Sequence, residues 1–281
     1  MTIGIDIGLK NISGALLLNN KVISVVDKSI YDQKRDCSRV IMVKILSLIQ
    51  ELFAPQVRGI GLSLPSKLDE KRGVIYDIAY IPYWKKVRLK SIIEETFNVP
   101  TILNTDINCH LIGEKNHGIC KDFRDILCIT VEPRANVSVV VNNRLHKDSF
   151  EKYDCLSKPS YNCVRNYRKS YIRTLEDLDF LAMNFNPEKM NNPECDEWND
   201  LGGLLGRLIT IILNNYEPQI VVLGGNLSKL YPRFAQSLDN YIERYVPPQV
   251  LLNLIIVGSL YDNPRPLGAA SLAYKIQELV A

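Results

Sequence analysis

Apolar residues in this chain come in short runs separated by Gly, Pro and charged positions, and the period within each run predicts its element. Ile3-Gly4-Ile5-Asp6-Ile7-Gly8 reads as a strand over Thr2–Gly8, and Ile12–Leu18 as a returning strand. Lys21–Ser29 predicts a third antiparallel strand. Helical spacing follows over Cys37–Phe53, where Val40, Met42, Val43, Ile45, Leu46, Ile49 and Leu52 recur and Pro55 acts as a stop. Val57–Leu64 predicts a buried strand ending at Pro65. Leu89–Phe97 predicts a short helix, Thr101–Leu103 a strand, and Asp106–Asn116 a helix closed by Gly118.

The second half repeats that plan. Asp125–Val131, Val137–Val141 and Arg144–Leu145 predict a new meander, with a helical region from about Thr174 to Asn215 after it. Strand Gln219–Leu223, the turn Gly224-Gly225-Asn226, helix Tyr231–Tyr245, strand Leu252–Val257 and helix Leu267–Leu279 complete it. Each half has the pattern of a ribonuclease-H-like lobe. The expected fold is therefore α/β, with two such lobes around a central cleft. Residues 1–118 and 266–281 form the first lobe and residues 119–265 the second. A site between them follows from that arrangement.

Composition narrows the class. The chain has 281 residues, 46% hydrophobic and 23% charged, which suits a globular protein of two lobes. A net charge of +3 is too small and dispersed to predict nucleic acid as a partner. No apolar run reaches the about 18 residues that a membrane span needs. The start lacks a basic segment followed by a hydrophobic signal core. Seven scattered cysteines then read as reduced thiols, and a cytoplasmic protein is expected.

Three blocks carry candidate chemistry. Asp6 and Gly8 form an Asp-x-Gly turn, and glycine lets backbone N–H groups approach a phosphate. Asp106 stands at the end of a strand, where a carboxylate either takes a hydroxyl proton or caps the following helix. Gly224-Gly225-Asn226 follows a buried strand, and glycines there serve ligand approach or tight strand–helix packing equally well.

Taken in order, these blocks resemble the ROK family of repressors and sugar kinases, within the actin-like ATPase superfamily. The resemblance rests on residues 58–118, from Gly59-Ile60-Gly61-Leu62-Ser63-Leu64-Pro65 to Thr105-Asp106-Ile107-Asn108 and Glu114. It rests also on Leu205-Gly206-Arg207 through Asn226, and on Gly258-Ser259-Leu260 with Leu267-Gly268-Ala269-Ala270. It implies Asp106 as the general base of an ATP-dependent hexose kinase, with Pro65, Thr105 and Asn108 on the sugar. It implies Asp6 orienting magnesium, with Gly8, Lys10, Gly224, Gly225 and Asn226 on ATP. A homodimer is expected by the same analogy.

The chain departs from that pattern in several places at once. The family reads Asp-x-Gly-Gly-Thr where this chain has Asp6-Ile7-Gly8-Leu9-Lys10, so Leu9 adds bulk where phosphate oxygens approach, although Lys10 supplies charge. A second glycine-rich phosphate turn is replaced by Glu132-Pro133-Arg134-Ala135-Asn136. Pro133 has no N–H to donate, and Glu132 brings negative charge that costs about 4 kcal/mol against another charge at about 4 Å. Tyr80 stands where the family carries an asparagine. The Glu-x-Gly-His element is missing, and Cys155 and Cys163, with Ser157 where a ligand is needed, fall short of four zinc ligands, so zinc is not expected. His146 reads as a lone surface histidine. Arg165, Tyr167, Arg168, Lys169, Tyr171 and Arg173 interleave charge and rings, which on a helix reads as a solvated face before a nucleic-acid surface. The start at a strand leaves no room ahead of it for the helix-turn-helix domain of the family's repressors. The expectation is a sugar-kinase-like protein that binds a sugar or a partner, with weak or no phosphoryl transfer. The alternative is an active glucokinase-like enzyme.

Overall fold

In the computed structural model, residues 1–8, 11–29, 38–65, 67–69, 72–77, 84–131, 134–146, 161–183, 196–214 and 216–280 are described. Two compact units result, Met1–Lys121 with Asn263–Ala281, and Asp122–Asp262.

The first unit is built on a five-stranded sheet of β1 (Thr2–Ile7), β2 (Asn11–Leu18), β3 (Lys21–Ser29), β4 (Gly59–Leu64) and β8 (Thr101–Thr105), in the order β3-β2-β1-β4-β8. β1 pairs antiparallel with β2 and parallel with β4, and β4 pairs parallel with β8. The period of two divides the strands sharply. Ile3, Ile5 and Ile7 of β1 and Ile60, Leu62 and Leu64 of β4 join one core with Ile41, Ile45, Leu48 and Ile49 of α1 (Ser38–Leu52). Leu89, Ile93 and Phe97 of α2 (Leu89–Phe97) belong to the same core.

The opposite face carries Gly4 and Asp6 on β1 and Gly61 and Ser63 on β4. Against it lie α8 (Arg265–Val280) and, beside α8, α3 (Asp106–Asn116). The glycines are there because the helix backbone touches the sheet. A Cβ on Gly61 would fall 1.9 Å from the carbonyl oxygen of Ala269, and one on Gly4 1.9 Å from that of Pro266. The last helix thus packs on the first unit, as its sequence position implies.

The second unit repeats the topology with β9 (Ile126–Val131), β10 (Ala135–Val141), β11 (Arg144–Leu145), β12 (Ile220–Leu223) and β13 (Ile255–Gly258), ordered β11-β10-β9-β12-β13. α4 (Tyr161–Met183), α5 (Asp196–Leu213) and α6 (Asn226–Tyr245) supply its core, with Trp198, Leu205, Leu208, Phe234 and Leu238 buried against Leu127 and Ile129. The same strand order in both units is the duplication expected from the sequence.

Some elements differ from expectation. The helical region placed at Thr174–Asn215 is two helices, the first beginning at Tyr161. α6 starts at Asn226 rather than Tyr231, directly after the glycine turn. Pro248–Leu251 forms a helical turn, α7, which delays the last strand from Leu252 to Ile255. Three short strands, β5 (Lys67–Asp69), β6 (Val74–Asp77) and β7 (Lys85–Val87), make a separate small sheet that the sequence pattern does not signal. Among the described residues no helix is long and apolar enough to cross a membrane.

Candidate functional site

The carboxyl ends of parallel strands collect ligands in open α/β sheets. In the first unit β1, β4 and β8 end side by side, with Asp6 in register with Ser63 and Ser63 in register with Asn104. Alternation turns Asp6 and Ser63 toward the face that α8 covers, and α3 starts at the next residue after β8.

Asp6 is only 2% exposed, and both of its carboxylate oxygens are engaged. Ser63 Oγ donates to Oδ1 at 2.6 Å, and Asn263 Nδ2 donates to Oδ2 at 3.1 Å. The Arg265 guanidinium stands 3.9 Å from Oδ2, with its side chain 15% exposed. Burial pushes the Asp6 carboxyl above its ordinary pKa, while Arg265, Ser63 and Asn263 each pull it back. Asn263 also reaches Ser13 Oγ of β2 at 3.2 Å, and its Oδ1 accepts the Arg265 amide at 3.2 Å. One asparagine therefore ties the start of α8 to two strands.

Asp106 opens α3 and is 8% exposed. Its Oδ1 accepts the Ile107 N–H at 2.8 Å, where the helix N-terminus favours negative charge. The N-cap position belongs to Thr105, which makes no side-chain capping bond. The capping role open to Asp106 in the sequence is thus replaced by a place in the first turn. Asn104 Oδ1 accepts from the Thr105 amide at 2.8 Å and from Asn108 Nδ2 at 2.9 Å, which holds Thr105 and Asn108 around Asp106. Cys109, next along α3, links the two carboxylates. Burial pushes its thiol far up, and Asp6 and then Asp106 push it further, against Ser63 and Arg265.

The Gly8 N–H donates to the Asn11 carbonyl at 3.0 Å and closes the turn between β1 and β2. Pro65 follows β4 and is half-buried. Lys10 and Leu9 lie outside the described residues, as do Tyr80, Glu132, Pro133, Cys155 and Ser157.

In the second unit the Gly224 N–H donates to Ile129 at 2.8 Å and continues the sheet. Gly225 has φ 63°, a conformation that glycine adopts without strain, and it turns the chain into α6. Asn226, the first residue of that helix, lines a cavity of about 380 Å³ with Lys229, Leu227, Leu230, Val131 and Leu201. His146 is half-buried, with its ring edge-on to Tyr216 at 5.7 Å. Tyr171 is buried in the core of this unit, so it belongs to no exposed basic-aromatic stripe; Arg173 is exposed. The side chains of Cys163, Arg165, Tyr167, Arg168 and Lys169 lie outside the described residues.

A model of the ROK family matches residues 2–150 and 167–276. The chain belongs to the ROK family. It is 24% identical to the xylose repressor of Bacillus spizizenii across 96% of this chain and 76% of that protein. It is 22% identical to the glucokinase of Thermotoga maritima across 96% of each. Among solved structures, the ROK family glucokinase of Streptomyces griseus in complex with glucose and AMPPNP matches with a TM-score of 0.69. The identity there is 16%, with 98% of this chain and 99% of that one covered. A ROK family transcriptional regulator, homologous to the MLC protein of E. coli, matches with a TM-score of 0.71 at 18% identity, over 96% of this chain and 76% of that one. The fold is that of the ROK sugar kinases, the actin-like ATPase fold.

The ROK resemblance implies magnesium at Asp6, and the residues present do not fit it. Magnesium keeps a near-octahedral shell of oxygens and rarely gives up its waters. Both Asp6 oxygens already accept hydrogen bonds, and a guanidinium stands beside them. Among the described residues no group of three or more His, Cys, Asp or Glu comes together to hold a metal ion.

Ser63, Asn104, Asn263 and Arg265 join the site without having been singled out in the sequence. Ser63 had a signal, as a polar residue inside an otherwise apolar strand. Asn263 and Arg265 had none, since their contacts with Asp6 span more than 250 positions.

Proposed function

We propose that this ROK protein binds a sugar and does not transfer phosphate efficiently from ATP. The observation that carries the reading is the engagement of Asp6: each of its oxygens accepts a hydrogen bond, from Ser63 and from Asn263, and the Arg265 guanidinium stands 3.9 Å from Oδ2. A carboxylate so engaged is a structural counter-ion. The internal bond of the Gly8 amide points the same way, and so do Leu9 and the Glu132-Pro133-Arg134 segment in the sequence.

Support for a sugar comes from the group at β8 and α3. Asp106 brings a carboxylate to the start of α3, and a sugar hydroxyl donates well to a carboxylate. Asn108 and Thr105 add an amide and a hydroxyl close by, and Thr105 Oγ1 has no partner among the described residues. Proteins to which the chain is similar include xylose repressors and glucokinases.

Titration calorimetry with a panel of hexoses and pentoses tests this directly. Binding is expected, and Asp106→Asn should weaken it by about 1.5–3 kcal/mol, roughly ten- to a hundredfold. A coupled assay with ATP and magnesium should show no turnover above background. Turnover that disappears in Asp106→Asn would establish the second reading, an ATP-dependent hexose kinase with Asp106 as general base. That reading is favoured by one observation, the apolar cavity beside Asn226, which is large enough for a nucleobase.

A further inference from the structure

We propose that Arg265 is the resident cation of the Asp6 carboxylate, seated where a divalent ion would otherwise bind, so that removing it uncovers a metal site. The inference rests on the proposed function only in that both follow from the engagement of Asp6.

The chain builds this arrangement deliberately into its packing. Asn263-Pro264 leads into α8, whose first residues are Arg265 and Pro266, so two prolines flank the arginine. Asn263 fixes the first turn by accepting the Arg265 amide on Oδ1 while its Nδ2 bridges Asp6 and Ser13. The turn then sits directly on β1, because a Cβ on Gly4 would meet the Pro266 oxygen at 1.9 Å. On the other side the helix touches α3 as closely, with a Cβ on Gly268 placed 1.8 Å from the Cys109 oxygen. Backbone contacts on both sides seat the first turn of α8 closely against β1 and α3.

The chemistry explains why the two cations exclude each other. A guanidinium is always charged and less strongly hydrated than an ammonium, which suits a nearly buried position. One buried carboxylate balances one positive charge. A divalent ion brought to the same oxygens would face the guanidinium at close range in a poorly screened site, and would have to displace the Ser63 and Asn263 hydrogen bonds. With the guanidinium gone, Asp6 keeps its hydrogen bonds from Ser63 and Asn263 but has lost the nearby positive charge, which a divalent ion entering with its waters would replace. The neighbouring polar oxygens of Ser13 and Ser63 can then hydrogen-bond those waters.

Manganese(II) serves as the probe, titrated into the full chain and followed by electron paramagnetic resonance of the free ion. Wild type should show no saturable binding that depends on Asp6, so Asp6→Asn should leave its titration unchanged. Arg265→Met should gain a site bound about tenfold or more tightly than anything in wild type, and Asp6→Asn added to it should abolish the gain. An Asp6-dependent manganese site in wild type would overturn the proposal, as would an Arg265→Met variant that is folded by circular dichroism and gains nothing. If Arg265→Met does not fold, Arg265→Gln, which keeps a donor and much of the volume without the charge, decides by the same criterion. Sugar calorimetry on the same samples separates this inference from the functional reading. Sugar binding lost with no wild-type manganese site sinks only the latter, and an Asp6-dependent site with sugar binding intact sinks only the former.

Discussion

His110 makes the first unit acid-sensitive by an amount that the structure allows to be worked out. Its side chain lies in α3 at 1% exposure, and neither ring nitrogen has a hydrogen-bond partner among the described residues. Burial, and then the Arg265 guanidinium, lower its pKa from 6.5 to about 3. The folded protein therefore holds His110 neutral, while the unfolded chain takes up the proton readily. Stability linked to this residue is complete above about pH 6.5 and is lost as pH falls toward about 3. Over the whole range the loss is about 5 kcal/mol, and between pH 7 and pH 5 it is about 2 kcal/mol. For a chain of this size that corresponds to a fall of about 4–8 °C in the unfolding midpoint. His117 adds in the same direction, since burial and Lys121 lower it too. Asp6 acts oppositely: its carboxyl is raised by burial, so its contribution improves as pH falls through the raised value. Differential scanning calorimetry of wild type and His110→Leu at pH 7 and pH 5 isolates the one residue. The variant should lose markedly less on acidification, with the difference near 2 kcal/mol. If both proteins lose the same amount, His110 is not the buried neutral group described here and the argument fails.

Two further predictions test the packing and the thiols. Gly61→Ala places a methyl group 1.9 Å from the Ala269 oxygen, so α8 must retreat from β4 or the strand must bend. A loss of about 3 kcal/mol is expected in urea unfolding, and an unchanged midpoint would contradict the close seating of α8. Cys109 is pushed well up, and Cys120 to about 12, both chiefly by burial. Native protein at pH 8 should then leave peptides containing either cysteine unlabelled by a thiol reagent that modifies both after denaturation. Rapid native labelling at Cys109 would show that the Asp6 site is open to solvent.

How much of this was legible follows from the range of the information. Period and punctuation are local, and they placed β1, β2, β3, α2 and α3 almost to the residue. They also carried the duplicated plan, because each unit needs the same succession of short elements to close its sheet. The strands β5 to β7 are three or four residues long, too short to display a period. Asp106 shows the limit of a local signal at one site: a carboxylate at a strand end is compatible with a cap, a first turn or a base, and only the backbone at Thr105 separates the first two. Gly8 shows another, since an Asp-x-Gly turn has the same sequence whether its amide faces a phosphate or its own Asn11.

What the sequence withheld is the partner of Asp6, and the reason is geometric. Alternation along β1 sends Gly4 and Asp6 to the same face, and the glycine is there so that α8 can lie against the strand. Whatever residues begin α8 must then arrive at Asp6, two positions further along. The identity of those residues, Asn263 and Arg265, is fixed some 250 positions away, beyond the reach of any periodicity. The packing of the last helix and the choice of cation at the first carboxylate are consequently one event.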